Sequence, residues 1–87
     1  MYVKTDVMPF LKYLTECREG KEYTILNVRA GFRAKRRLAN LGVIPGEKIV
    51  KNRSAPFHGP IEIIIGKNTK SKLVLGRGLA AKIIVRE

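Results

Sequence analysis

Beyond Glu47 the apolar residues of this chain return at every second position, and that pattern restricts the fold more than any other feature. Ile61, Ile63 and Ile65 share one face of an extended segment, as do Leu73 with Leu75 and Ile83 with Val85. Gly59-Pro60, Gly66 and Gly76 break the runs at short intervals. Segments this short cannot bury their apolar faces alone, so they must share a sheet that curls around a common core. An 87-residue chain with 45% hydrophobic residues has material for one such core and not two.

The first half has a different rhythm. Residues 32–41 carry Ala34, Leu38 and Leu41 at helical spacing, with Arg33, Lys35, Arg36 and Arg37 over the remaining surface. Gly42 stands where a helix closes through a left-handed residue, and Pro45-Gly46 suits the centre of a type II turn. Residues 23–29 read as a strand. Residues 7–18 are predicted to be helical, with Thr5 or Asp6 as N-cap, Leu11 (or Phe10), Leu14 and Cys17 on one side, and Gly20 as the stop. Further strands are expected at 47–52, 61–65, 72–75 and 82–86, with a loop at 54–59 and tight connections at 66–70 and 76–81. The expected fold is therefore mainly β: a small, partly open barrel of about five strands, one short helix at 32–41 and an N-terminal helical segment. Val50, Ile64, Val74 and Ile84 alternate away from the core. A contiguous row of them would make the outer β face an interface, for a second copy or for the N-terminal helix folding back.

Eighteen Lys and Arg face seven Asp and Glu, a net charge of +11. The first 22 residues are balanced, so the excess lies in residues 23–87, whose acids are Glu47, Glu62 and Glu87 alone. Such a field attracts polyanions: nucleic acid, anionic lipid or acidic protein. No run of about 20 apolar residues offers a membrane span, and Lys4, Asp6 and Lys12 interrupt anything resembling a secretion signal. Cys17 as the sole cysteine builds no disulfide framework, so a cytoplasmic protein is expected.

The segment Arg36-Arg37-Leu38-Ala39-Asn40-Leu41-Gly42-Val43-Ile44-Pro45-Gly46 resembles the R-R-L-x-x-L-G-h-x-P-G pattern of the FeoA family, where h is apolar. Leu14 to Gly20 looks like the family's opening L-x-x-L-x-x-G, with Cys17 in place of the second leucine. Ala55-Pro56 and Gly59-Pro60-Ile61 resemble its loop into the central hairpin. Leu73-Val74-Leu75, Ala80, Ile83 and Val85 resemble its closing L-x-L…A-x-x-I-x-V. The resemblance covers residues 14–87 as one domain and leaves 1–13 as an extension. It implies an SH3-like barrel. It also implies a cytosolic, non-enzymatic accessory of ferrous iron uptake, acting by protein–protein contact with the FeoB transporter and its G-protein domain at the inner face of the membrane. The same barrel occurs in DtxR-type repressors behind a DNA-binding winged helix, for which this chain has no room, so no DNA partner is expected. His58-Gly59, Gly76 and Leu79 depart from the residues commoner in the family, so contacts made there are expected to differ.

Chemistry is sparse. Gly76-Arg77-Gly78-Leu79-Ala80-Ala81 matches G-x-G-x-x-A, yet too little chain follows it for a dinucleotide-binding unit. There is no P-loop, no paired carboxylate set and no triad-like spacing around the lone His58. Cys17 and His58, helped by Glu62, are weak candidates for a transition-metal site; the expectation is that no metal or other cofactor is held. Residues expected to contact a partner are Arg33, Lys35 and Arg36 on the helix, and Arg53, Phe57 and His58 on the loop, whereas Arg37, Leu38, Leu41, Gly42, Pro45 and Gly46 are expected to build the fold. The alternative is a basic SH3-like protein that binds RNA, against which stands a scarcity of exposed aromatics for base stacking.

Overall fold

The computed structural model describes residues 11–66 and 69–87. Its strands are β1 (Leu11–Tyr13), β2 (Glu22–Val28), β3 (Lys48–Ser54), β4 (Ile61–Ile65), β5 (Ser71–Leu75) and β6 (Ile83–Arg86). They form one antiparallel six-stranded sheet in the order β1-β6-β2-β3-β4-β5. Helix α1 (Phe32–Asn40) joins β2 to β3, and the four-residue α2 (Arg77–Ala80) joins β5 to β6. The period-2 faces are inward as the sequence requires: Ile61, Ile63, Ile65, Leu75, Ile83 and Val85 are buried with Ile25, Val28 and Ile49 in one core. This is a mainly β, SH3-like barrel. Among the described residues it is open between β1 and β5, which remain as edges.

Among the described residues the predicted N-terminal helix is replaced by a strand and a turn. Residues 7–10 lie outside the described segment; Leu11–Tyr13 instead pairs with β6, and Leu14–Glu16 makes one 3-10 turn. Leu14 and Cys17 are buried, but Leu11 faces outward with Tyr13, because the segment alternates. The turn is held by long-range contacts: Lys51 Nζ donates to the carbonyls of Thr15 and Cys17 at 3.0 and 3.1 Å. Backbone groups that a helix would have satisfied locally are satisfied by β6 and by this lysine.

Helix α1 matches the sequence closely and ends in a Schellman motif. The Val43 N–H donates to the Leu38 carbonyl and the Gly42 N–H to that of Ala39, at 2.9 and 3.0 Å. Gly42 takes φ +95°, and Leu38 and Val43, the apolar pair that accompanies such a cap, are both buried. Leu41, expected in the apolar stripe, is 44% exposed, so Leu38 alone anchors the helix centre.

The β3–β4 hairpin carries two irregularities. A bulge between Lys51 and Arg53 lets Asn52 and Arg53 both reach Glu62 on β4, at 2.8 and 3.1 Å. At the tip, the Gly59 N–H donates to the Pro56 carbonyl at 3.1 Å, and both central residues, Phe57 and His58, have φ of 58°. Two left-handed central residues define the twist-matched hairpin turn that normally uses Asn-Gly.

Candidate interaction site

Two surface regions hold the residues that the sequence singles out, and the fold sets them apart. The α1 cap packs toward the C-terminal end of β4, where a Cβ on Gly42 would sit 3.4 Å from the Ile65 side chain. The tip of the β3–β4 hairpin precedes Ile61, at the other end of the same strand.

On α1, Arg33, Lys35, Arg36 and Arg37 are all exposed. Among the described residues none of the four lies within ion-pair range of a carboxylate. The helix contains no acid, and Arg33 sits in its first turn, at the positive end of the helix dipole. Arg33 is also one turn from Arg36 and Arg37, spacings at which like charges repel. Arg37, in the last turn, meets the dipole favourably and offsets part of this, leaving the helix less stable by at most about 1 kcal/mol than one with neutral residues there. Phe32 is 76% exposed, with the Arg36 guanidinium 6.0 Å from its ring centre. Phe32, Arg33, Arg36, Arg37 and Asn40 line a shallow depression of about 480 Å³.

Arg37 was expected to build the fold, but its side chain belongs to this surface. Phe32 was not among the predicted contact residues; its i, i+4 relation to Arg36 is the signal that points to it. With Phe32 and Phe57 both in solvent, exposed aromatics are less scarce than the sequence suggested.

At the hairpin, Arg53, Phe57 and His58 are exposed, and Phe57 at 97% touches almost nothing of its own chain. Lys72 on β5 approaches Glu62 at 3.8 Å, completing a group with Arg53 and Asn52. The amide donor of Asn52, with the neighbouring cations, holds the Glu62 carboxyl below the usual range.

The weak metal candidates lie in different settings. Cys17 is buried, its thiol donates to the Tyr13 carbonyl, and burial pushes it from 9.0 up to about 11, so it is a protonated core group. His58 stands in solvent on the tip, and the Glu62 carboxylate is occupied by its three partners. Among the described residues no three His, Cys, Asp or Glu side chains gather as a metal site.

Nor do the outward apolar residues make one row. Val50 lies opposite Ile64, but Ile84 lies opposite Asn27 on the far reach of β2, beside Tyr13 of β1. Val50 pairs across β2 with Glu22, five residues from Asn27, so two separate patches result.

With this geometry, comparison with known proteins is specific. The FeoA domain model matches residues 12–87. The chain belongs to the FeoA family. It is 32% identical over 76 residues to the putative Fe(2+) transport protein A of Methanocaldococcus jannaschii, covering 85% of this chain and 84% of that one. A crystal structure of the iron uptake regulatory protein FeoA superposes with a TM-score of 0.76 at 32% identity, over 87% of this chain and 96% of the other. The FeoA protein of Chlorobium tepidum gives 0.71 at 29% identity, over 86% of this chain and 69% of its own. A manganese-dependent transcriptional repressor gives 0.80 at 23% identity, with 88% of this chain lying on 36% of that one, which shows a shared fold.

Proposed function

We propose that this FeoA-family protein is a non-enzymatic cytosolic accessory of ferrous iron uptake that docks, through the cations of α1, on an acidic surface of the FeoB transporter's G-protein domain. The observation that carries this reading is the set of four exposed cations, without an ion-pair partner among the described residues, on a nine-residue helix with no acid. Arg33 opposes the helix dipole and repels Arg36 and Arg37 one turn away, and a complementary field on a partner would relieve both. Phe32, exposed and flanked by Arg36, adds the aromatic–arginine pairing that dominates many protein interfaces.

The test is Arg33→Glu, Lys35→Glu and Arg36→Glu together. Each reversal removes two charge units, so the net charge falls from +11 by six to +5. The variant is expected to fold about as stably as the parent, because exposed charges contribute little and Arg33→Glu complements the N-terminal end of the dipole. Association with the purified FeoB cytosolic domain is expected to slow at least tenfold and to lose most of its salt dependence, since steering acts on the on-rate. Unchanged binding and unchanged ferrous uptake would overturn the reading. RNA binding predicts a different result: a graded loss shared with Lys70→Glu and Lys72→Glu, each charge removed lowering the salt slope by about one.

A further inference from the structure

We infer that the β3–β4 hairpin tip is a membrane-contacting element, with Phe57 entering the interfacial layer of an anionic lipid bilayer. This goes beyond docking through α1 and does not rest on it. Three observations converge on the tip. The Phe57 ring is 97% exposed at the apex of a hairpin, although large aromatic rings are ordinarily well buried. The backbone beneath it is strained, with two consecutive non-glycine residues at φ 58°, a cost kept where the surroundings or the function require it. The charges are layered behind it.

Residues 55–60 contain no Asp, Glu, Lys or Arg: Ala55, Pro56, Phe57, Gly59 and Pro60 surround His58. Just behind them stand Arg53 and Lys72, with side chains 75% and 62% exposed. Glu62 lies between the two with its side chain only 17% exposed, so the group presents cation outward and carboxylate inward. Glu19, the other nearby acid, has its carboxylate engaged by the Ser54 N–H at 3.2 Å. Arg53 precedes the loop by two residues, roughly 7 Å of strand. An apolar apex with cations about that far behind it matches the depth at which interfacial side chains enter a bilayer while basic groups meet lipid phosphates. Val74, 66% exposed, extends the apolar surface beside this cationic layer.

A lipid surface is favoured over a protein pocket because the element is convex and isolated. One protruding ring contributes little of the area a stable protein interface needs, and insertion into lipid requires no shaped counterpart. The +11 charge then draws the whole protein to an anionic leaflet.

The chain has three tyrosines but no tryptophan, so Phe57→Trp places a single tryptophan, excited selectively at the red edge of the absorption band, at the apex. Vesicles of equal phosphatidylcholine and phosphatidylglycerol should shift its emission to the blue, and brominated acyl chains should quench it; pure phosphatidylcholine should do neither. In sedimentation with the same anionic vesicles, Phe57→Ser should lower the partition of the otherwise natural protein about tenfold. Circular dichroism should show both variants folded, since the ring has almost no intramolecular contact. Emission that stays solvent-like on anionic vesicles, or Phe57→Ser partitioning like the parent, overturns the inference and leaves only electrostatic adsorption. A blue shift seen with the FeoB domain and not with lipid also overturns it, in favour of a protein pocket.

Discussion

Replacing Phe57-His58 by Asn-Gly should make this protein more stable. Both residues sit at φ 58°, where a side chain crowds its own backbone by about 1–2 kcal/mol per residue. Asn tolerates that conformation better and Gly has no such penalty, while Gly gives back about 0.5–1 kcal/mol as extra freedom in the unfolded chain. Nothing else is lost, because Phe57 is 97% exposed and His58 is exposed too. The balance is a gain of about 1–2 kcal/mol, or roughly 5–15 °C in Tm for a domain of this size. Thermal unfolding followed by circular dichroism, with urea titration at 25 °C, measures it directly. Phe57→Ala is the control. It removes the ring and keeps a Cβ at positive φ, so it should melt within about 0.5 kcal/mol of the parent. An Asn-Gly variant no more stable than the parent, or a Phe57→Ala variant clearly less stable, would refute the strain argument and show that the ring holds the hairpin. A stabilised variant that no longer partitions onto anionic vesicles would display the trade between stability and function at one turn.

Two further predictions concern the turn at Thr15–Cys17, whose Cys17 is buried. Lys51→Met should destabilise the protein by about 2–4 kcal/mol in urea titration, because it strips the Thr15 and Cys17 carbonyls of their donor. The Cys17 thiol, raised from 9.0 to about 11 in the folded state, is deprotonated first in the unfolded chain. Its contribution is therefore intact below pH 9 and is lost as pH rises toward 11, by at most about 2–3 kcal/mol. A Cys17→Ala variant should lack that part of the alkaline decline when unfolding free energies are compared at pH 8 and pH 11.

Legibility in the sequence followed the range of the interactions. The strands beyond Glu47 and the α1 cap are specified locally, by alternation and by the Leu38, Gly42 and Val43 pattern, and they fold as read. Residues 11–17 were misread because Leu11, Leu14 and Cys17 fit a helix as well as they fit a strand ending in a 3-10 turn. What decides there is pairing with β6 and a lysine 34 residues away in sequence from Cys17, neither of which any local window contains. The turn at Phe57-His58 was legible as a loop but not as a left-handed one, because Asn-Gly, the residue pair that signals such a turn, is absent. Arg37 shows the opposite error: its place in a family motif suggested structure, and its exposure places it on the surface.

These misreadings fall where the chain departs from ordinary local preferences, and the departures are of two kinds. Lys51 is a buried amine in an apolar barrel, which would be costly in isolation. Its Nζ donates to two carbonyls of the same chain, so the cost is offset inside the molecule and the residue is explained by folding alone. The α1 cations and the left-handed Phe57 have no such internal answer. Among the described residues no carboxylate pairs with Arg33, Lys35, Arg36 or Arg37, and no side chain covers Phe57. A departure balanced within the fold is structural, whereas an unbalanced one points to something the fold meets outside itself. By that criterion the two proposed contact regions of this FeoA-family protein are separate: a cationic helix toward the C-terminal end of β4 and an aromatic tip at its start. The criterion is itself testable in a double variant. If the regions meet different partners, the α1 reversal and Phe57→Ser should each weaken binding to its own partner and combine additively, as distant independent sites do. Strong coupling between them in a single binding assay would mean that one partner spans both ends of the barrel.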